Sequence, residues 1–428
     1  MKAFPILRIL VSSFALVAVG FSRAQQPGEM QHRASGATSL AVLVEEAKAR
    51  NPRILAAVHA YRAAGHAPEQ AQALPDTQVM IQHLSVGSPR PFAGYTNSDF
   101  AYIGIGASQE FPYPGKRKLR AEVAAREADS LQAQSESAAR QITASLKIAY
   151  FRLAYVQEAI AVLQHHDSVL SQMEQIASAH YSAGKGQQQE VLKAQLQHTK
   201  ILQEITMNKR EEGQLQSEIK QLLGRDQDSP DIIVEALTPQ TLPYSSSQLL
   251  QMARNQNPDI LSQQAMLKQS ESQVALAQKE FRPDFNLQYM YQNTDRKFRD
   301  YYLLTFGITL PNRGRRRAEL AESREKQERA SQELQAEIQR QLAEIQNQVV
   351  LVQTSTEQLK IYKEGLIPQA AATFRSALAA YENNRQDFQT LLSSFLDVLD
   401  LDLQYQKELA QHESALARIE ALTGVTLP

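Results

Sequence analysis

The chain repeats itself at an offset of about 200 residues, and this duplication constrains the fold more than any other feature. Matching residues recur in the same order in both halves: Asn51 and Asn257, Pro52 and Pro258, Pro75 and Pro283, Pro112 and Pro311, Gly115 and Gly314, Tyr181 and Tyr381, and Gly224 and Gly424. Because the offset drifts only by loop-sized amounts, we predict two copies of one structural unit, residues 39–225 and 247–428. A Pro-bearing linker, residues 226–246, joins them.

Each unit is predicted to contain a helix, two strands, a very long helix, a tight turn and a closing helix. The strands alternate apolar and amide side chains, as in "DFNLQYMYQ", so one face is apolar and aromatic. The long helices carry a coiled-coil stripe with alternating steps of four and three; one example is Ile142, Leu146, Ala149, Leu153, Val156, Ile160 and Leu163.

These patterns predict the bounds of each element. We expect opening helices at about 39–73 and 247–280, and strands at about 77–86, 100–110, 284–292 and 301–310. The long and closing helices are expected at 116–183, 187–224, 315–382 and 386–422. The opening and closing helices of a unit, stacked end to end, would match its long helix in length.

The first residues have the features of an export signal. Lys2 and Arg8 bracket a basic start, an apolar run follows, and Ser22 and Ala24 are small residues at the two positions that a signal peptidase inspects. We predict a signal peptide over 1–24 and a flexible segment over 25–38, with an uncleaved anchor helix as the alternative. No other stretch reaches the ~18 apolar residues of a spanning helix, so further membrane contact would require β-strands.

Composition narrows the possibilities further. The chain has no Cys, and therefore neither a disulfide nor a thiol for a lipid anchor. Its net charge of −1 gives no sign of a nucleic-acid partner. Four strands cannot close a barrel, and no sheet edge can stay unpaired in lipid, so we expect the protomer to borrow strands from copies of itself.

The ordered arrangement resembles the TolC-type outer-membrane efflux protein family. The resemblance covers nearly the whole mature chain and rests on the duplicated unit, the strand pairs, the P-x-x-G hinges and the Tyr-containing turns. It implies a fold that is mainly α with β. In a homotrimer, four strands per protomer would form a twelve-stranded membrane β-barrel, continuous with a coiled-coil α-barrel tunnel.

The same resemblance implies a function. The protein would be the outer-membrane exit duct of a tripartite efflux or secretion system in a Gram-negative-type cell, with a large periplasmic portion. Its partners would be its own copies, a periplasmic adaptor, an inner-membrane pump and outer-membrane lipid, without nucleic acid and without a cofactor. Conduction would be passive, gated by an iris of coiled-coil helices.

Two basic junctions, "FPYPGKRK" and "LPNRGRRR", mark the predicted passage from strand to helix. Proline would end the ladder and glycine would permit the turn before the bases; these hinge residues are Pro112, Gly115, Lys116, Arg117, Pro311, Gly314, Arg315 and Arg316. Bases oppose the dipole at a helix N-terminus, so lipid phosphates or neighbouring carboxylates should favour them. The alternative is a solvated face with Glu122 and Glu319 as partners.

The turns that end the long helices are the second candidate site. The resemblance implies that they face the adaptor; their residues are Tyr181, Gly184, Gly186, Tyr381, Asn383 and Asn384. It also implies a periplasmic gate at Glu190 in the first copy and at Thr390 and Ser393 in the second, with Asp387 one turn earlier. A ring of Glu190 carboxylates would attract cations. The alternative is an ordinary exposed carboxylate.

The sequence gives little indication of metal binding or catalysis. The histidines lack ligand spacing, so we predict no metal site; they include His165, His166, His180, His198 and His412. No catalytic motif is present, so we do not expect an enzyme. The alternative function is a periplasmic coiled-coil scaffold or adaptor without a pore, which would leave the strand pairs unexplained.

Overall fold

The structure, a computed structural model, describes residues 39–86, 90, 101–294 and 300–425. The predicted signal peptide and the segment 25–38 lie outside the described residues, as does most of the loop between the strands of each pair. Among the residues described, none of the helices is both long and apolar enough to cross a membrane.

Both halves of the chain have the same order of elements. The first half contains α1 (Leu40–Arg50), α2 (Pro52–Ala64), α3 (Ala67–Gln72), β1 (Gln78–Leu84), β2 (Tyr102–Phe111), α4 (Lys116–Ser182) and α5 (Gln188–Leu223). The second contains α6 (Ser246–Gln256), α7 (Pro258–Lys279), β3 (Asp284–Asn293), β4 (Tyr301–Thr309), α8 (Arg313–Ile361), a π-helical turn (Tyr362–Leu366), α9 (Ile367–Glu382) and α10 (Phe388–Thr423). The predicted class, mainly α with a small β part, is confirmed.

Several helices predicted as continuous are broken. The opening helix of each half ends before Pro52 or Pro258, because proline lacks the N–H and crowds the preceding turn. The first opening helix breaks again at Gly65. The helix predicted over 315–382 is interrupted by the π-helical turn, which lies just before Pro368.

The breaks before proline allow short helices to stack end to end. Asn51 caps α2 by accepting from the N–H of Ile54 and of Arg53, and its Nδ2 donates to the carbonyl of Leu222 at 2.8 Å. Asn257 repeats the arrangement with the carbonyl of Leu422, at 2.9 Å. The stacking predicted from helix lengths is therefore present: α2 continues α5, and α7 continues α10.

The strands form one antiparallel sheet in the order β1-β2-β3-β4. The register places the apolar side chains of all strands on one face; they include Val79, Ile81, Ile105, Phe285, Leu287, Tyr289, Leu304, Phe306 and Ile308. Most of these side chains are exposed. The opposite face is rich in amides, as predicted, and carries Gln82, Asn286, Gln288 and Gln292 together with Gly104, Gly106, Met80, Met290 and Leu303. β1 and β4 are the outer strands of the sheet.

The helices form a wall below the sheet, with α4 at its centre. In the upper part α4 packs between the α2–α3 pair and α7, which in turn packs on α8. In the lower part the order is α5, α4, α10, and then α8 and α9. The predicted stripe on α4 is buried apart from the half-buried Ile160. A lower core joins both hairpins through side chains such as Leu170, Met173, Ile201, Leu391 and Phe395.

Candidate functional site

The lower ends of the helical hairpins are formed by two similar turns. Gly184 adopts a left-handed backbone (φ 69°) in the α4–α5 turn, and Asn384 does so (φ 56°) in the α9–α10 turn. The carbonyl of His180 accepts from the N–H of Gly186, and that of Tyr381 accepts from the N–H of Asn384. Of the predicted Asn383–Asn384 pair, only Asn384 takes the left-handed conformation.

The two tyrosines that the repeat makes equivalent have different surroundings. Tyr181 is 48% exposed, whereas Tyr381 is 3% exposed. The hydroxyl of Tyr381 donates to Glu190 Oε2 at 2.8 Å, and its ring centroid lies 5.0 Å from that of His180. Burial and the adjacent Glu190 carboxylate raise the pKa of Tyr381 far above its ordinary value, so the phenol remains a donor. Tyr381 therefore ties the second hairpin to the first.

The predicted gate residues have different local partners within the protomer. Glu190 is half-buried and engaged with Tyr381. Asp387 caps α10 by accepting from the N–H and the hydroxyl of Thr390, both at 3.0 Å, and these bonds hold its pKa below the ordinary value. Ser393, one turn after Thr390 in α10, is exposed. The gate assignment stays a prediction, as does the assignment of the turns to an adaptor.

At the upper end of the wall, Lys116 is buried where β2 passes into α4. It is 1% exposed, and its Nζ lies 3.0 Å from Glu280 Oε2 and 2.9 Å from Asp284 Oδ2. Arg120 and Arg316 also reach Glu280, at 3.1 and 3.3 Å. Bases from both halves thus converge on carboxylates of the second half, so the carboxylate interpretation holds for these bases.

The glycines of the two junctions, Gly115 and Gly314, have different positions relative to the helix that follows. Gly115 has a left-handed backbone (φ 94°) and makes the turn before α4, as predicted. Gly314 does not make the equivalent turn; it lies in the first turn of α8, capped by the side chain of Asn312. The second junction turns through Asn312 because an asparagine cap satisfies the helix N–H groups without a left-handed residue.

The other predicted bases have local partners. Arg117 donates to the carbonyl of Gln72 at the end of α3. Glu319 pairs with Arg315 at 2.8 Å and with Arg316 at 2.7 Å, as the solvated-face alternative predicted, but Glu122 forms no ion pair among the described residues. Pro112 is buried and Pro311 is half-buried.

Sequence reasoning missed the acidic partners Glu280 and Asp284 and the Tyr381–Glu190 contact. In the sequence, Asp284 stood out only as the first residue of the strand "DFNLQYMYQ". Two of the predicted histidines form separate pairs with carboxylates: His166 with Asp402 at 3.0 Å, and His198 with Asp167 at 2.7 Å. Within the described part of the chain, no three or more His, Asp or Glu side chains are grouped to hold a metal ion.

Comparisons with known proteins agree with this geometry. Residues 43–225 and 249–424 match the sequence profile of the family described as outer membrane efflux protein. No curated protein matches the chain. Among solved structures, the outer-membrane channel OprN is similar at a TM-score of 0.78, with 17% identity over 90% of this chain and 89% of that one.

Two further channels show the same likeness. VceC from Vibrio cholerae has a TM-score of 0.76 and 18% identity, covering 90% of this chain and 96% of its own. The Campylobacter jejuni outer membrane channel CmeC has a TM-score of 0.77 and 14% identity, covering 95% and 94%. At these identities the similarity shows a shared fold.

Proposed function

This chain belongs to the outer membrane efflux protein family, and on that premise we propose that it is the outer-membrane exit duct of a tripartite efflux or secretion system. It would conduct small molecules, ions or exported substrates passively from a periplasmic adaptor and an inner-membrane pump to the exterior. The observation that carries the proposal is the open four-stranded sheet, whose exposed face is apolar and aromatic and whose outer strands, β1 and β4, each pair with one strand of the described chain.

The sheet supports the membrane part of the proposal. Tyr302, Leu304, Phe306 and Ile308 project from one face of β4 and are exposed. In lipid the unpaired groups of an outer strand are costly, which favours pairing of β4 with β1 of another copy. Three copies would close the sheet with twelve strands; the number three comes from the family resemblance. Lipid would then cover the apolar face and water the amide face.

The lower helices support the same assembly. α5 exposes Leu202 and Met207, roughly 21 to 29 Å above its tip turn at 1.5 Å per residue. On the opposite edge of the protomer, Ile361 and Leu366 are exposed at roughly 24 to 32 Å above theirs. These apolar groups lie at matching heights, so the edge of one copy would pack against the edge of the next.

The tip turns would contact the adaptor and hold the gate closed. The Tyr381–Glu190 hydrogen bond joins the two hairpins and would stabilise the closed tip. Adaptor binding would supply the free energy that favours the open state. Iris-like opening would then separate Glu190, Asp387, Thr390 and Ser393 of each copy from those of its neighbours.

The test is single-channel conductance of the purified protein in a planar bilayer, with Phe306→Arg compared against Thr305→Arg. Phe306 lies on the apolar face of β4 and Thr305 on the opposite face, and both are exposed. A cation on the lipid face should cost ~2–4 kcal/mol near mid-membrane and reduce the heat-modifiable trimer. The same cation at Thr305 should leave the trimer intact and alter conductance.

The alternative is a periplasmic coiled-coil scaffold or adaptor without a pore. It predicts no discrete conductance, a protein that stays in solution without detergent, and similar effects of the two arginines. Those results together would reject the duct.

A further inference from the structure

The second hairpin contains a local irregularity at Tyr362–Leu366, where the helix becomes a π-helical turn. The N–H of Ile367 donates to the carbonyl of Tyr362, five residues earlier. Pro368 follows and cannot donate to Glu364, so an α-helical bond is missing there. Gly365 lies within the turn, and a Cβ at this position would have no atom within 4 Å. Turns of this kind mark places where a long helix can change direction.

The equivalent segment of the first hairpin is regular. By the offset that matches Tyr181 to Tyr381, the π-helical turn corresponds to residues 162–166, which lie inside the unbroken α4. At that level α4 contacts both neighbours: His166 Nε2 lies 3.0 Å from Asp402 Oδ2 of α10, and Asp167 Oδ1 lies 2.7 Å from His198 Nδ1 of α5. The first hairpin is thus a continuous α-helix, in contact with both neighbours, at the level where the second hairpin is irregular.

At the same level, a side-chain hydrogen bond joins the π-helical turn to α10. The hydroxyl of Tyr362 donates to Gln404 Oε1 at 2.9 Å, two residues beyond Asp402. We call these three contacts, His166–Asp402, Asp167–His198 and Tyr362–Gln404, the polar belt. Its residues lie roughly 15 to 30 Å above the tip turns at 1.5 Å per residue. The polar belt thus links α5, α4, α10 and the π-helical turn.

We propose that the π-helical turn is the hinge about which α9 moves relative to α8, and that the polar belt holds the neighbouring helices at the level of this hinge. The inference rests on the gated duct proposed above and places the moving segment within it. α9 packs along α10 through Phe374 and Ala377, and its last turn reaches the first hairpin through Tyr381. Release of Tyr381 would therefore free the lower end of α9 while its upper end pivots at Gly365.

The test uses the absence of Cys to place two spin labels, at Thr354→Cys on α8 and Ser376→Cys on α9. Both positions are exposed and lie on opposite sides of the π-helical turn. Labelled chains are diluted into unlabelled protein, and pulsed electron–electron double resonance measures the distance between the two labels of one protomer. The Tyr381→Phe variant, which lacks the tip hydrogen bond, serves as the background.

Gly365→Ala is compared with Gly213→Ala on this background. Gly213 lies inside α5, and a Cβ there also meets nothing within 4 Å, so the two alanines raise helix preference equally. Tyr381→Phe should add a second distance population, and Gly365→Ala should reduce it about fivefold, the factor that corresponds to the helix preference of Ala over Gly. Gly213→Ala should leave it unchanged.

Equal effects of the two alanines would overturn the hinge, and so would a single unchanged distance in Tyr381→Phe. The spin-label distance does not depend on conduction. If the duct proposal fails but the hinge exists, the protein will show no conductance while Tyr381→Phe still adds the second distance population.

Discussion

Lys116 Nζ lies 2.9 Å from Asp284 Oδ2, so the first residue of α4 is paired with the first residue of β3 in the other half of the chain. The second carboxylate oxygen, Oδ1, accepts from the N–H of Tyr113 at 2.7 Å. One carboxylate therefore holds both the turn that leaves the sheet and the base that starts the long helix.

Lys116→Met should destabilise the protein strongly. The substitution removes the buried cation from Asp284, while Glu280 keeps Arg120 and Arg316, and breaking a buried pair typically costs ~3–5 kcal/mol. Thermal unfolding in detergent would measure the loss. Lys118→Met is the control, because Lys118 is exposed and has no ion pair among the described residues. Equal unfolding temperatures for the two variants would contradict the role of Lys116.

Tyr381→Phe should open the tip. A hydrogen bond to a charged acceptor is worth ~1.5–3 kcal/mol, so the open fraction should rise at least about tenfold in bilayer recordings. Tyr181→Phe provides the matched control, since Tyr181 occupies the equivalent position of the repeat and is exposed. If Glu190→Ala changes conductance but Tyr381→Phe does not, Glu190 acts through charge alone and the hydrogen bond does not hold the gate.

Asn257→Ala should separate α7 from α10. It removes both the cap of α7 and the bond to the carbonyl of Leu422, at a combined cost of ~2 kcal/mol. Asn51→Ala should behave similarly, because Asn51 has the same contacts in the first half. Asn208→Ala, on the surface of α5, is the control. Chemical denaturation with unchanged midpoints in both cap variants would refute this account of the stacking.

Glu413→Gln should stabilise the protein near neutral pH. Burial raises the pKa of Glu413 above its ordinary value of 4.5, although its Oε1 accepts from the N–H of Gln240. A raised pKa means that the folded state binds the proton more tightly, so the stability due to this group is present below pH 4.5 and lost as pH rises through the raised pKa. Glutamine keeps the acceptor without the charge.

The effect is measured by comparing the denaturation midpoints of the wild type and Glu413→Gln near neutral pH and below pH 4.5. The advantage of Glu413→Gln should disappear below pH 4.5, where Glu413 is protonated in either state. Glu218→Gln, on an exposed position of α5, should show no such dependence. An advantage of equal size at both ends would show that the charge of Glu413 does not cause it.

Much of the fold could be predicted because its signals are local. The alternation in "DFNLQYMYQ" predicted the apolar face of β3, and the stripe from Ile142 to Leu163 predicted the buried face of α4. Gly115, Gly184 and Asn384 lie at left-handed positions that their residue types favour. The equivalence of the two halves wrongly predicted that Gly314 makes the turn before α8, because Asn312 caps that helix without a left-handed residue.

The candidate sites depended on contacts that no local pattern encodes. Tyr181 and Tyr381 are equivalent in the sequence, yet only Tyr381 is buried against Glu190, which lies 191 residues away. Lys116 pairs with Asp284, which lies 168 residues away in the sequence. By itself, the sequence determined the repeat, the strand faces and the helical stripes, since each follows from the backbone period of neighbouring residues. Tertiary structure alone decided which charges are paired and which tyrosine joins the hairpins, because packing of distant helices sets the distances on which hydrogen bonds and ion pairs depend.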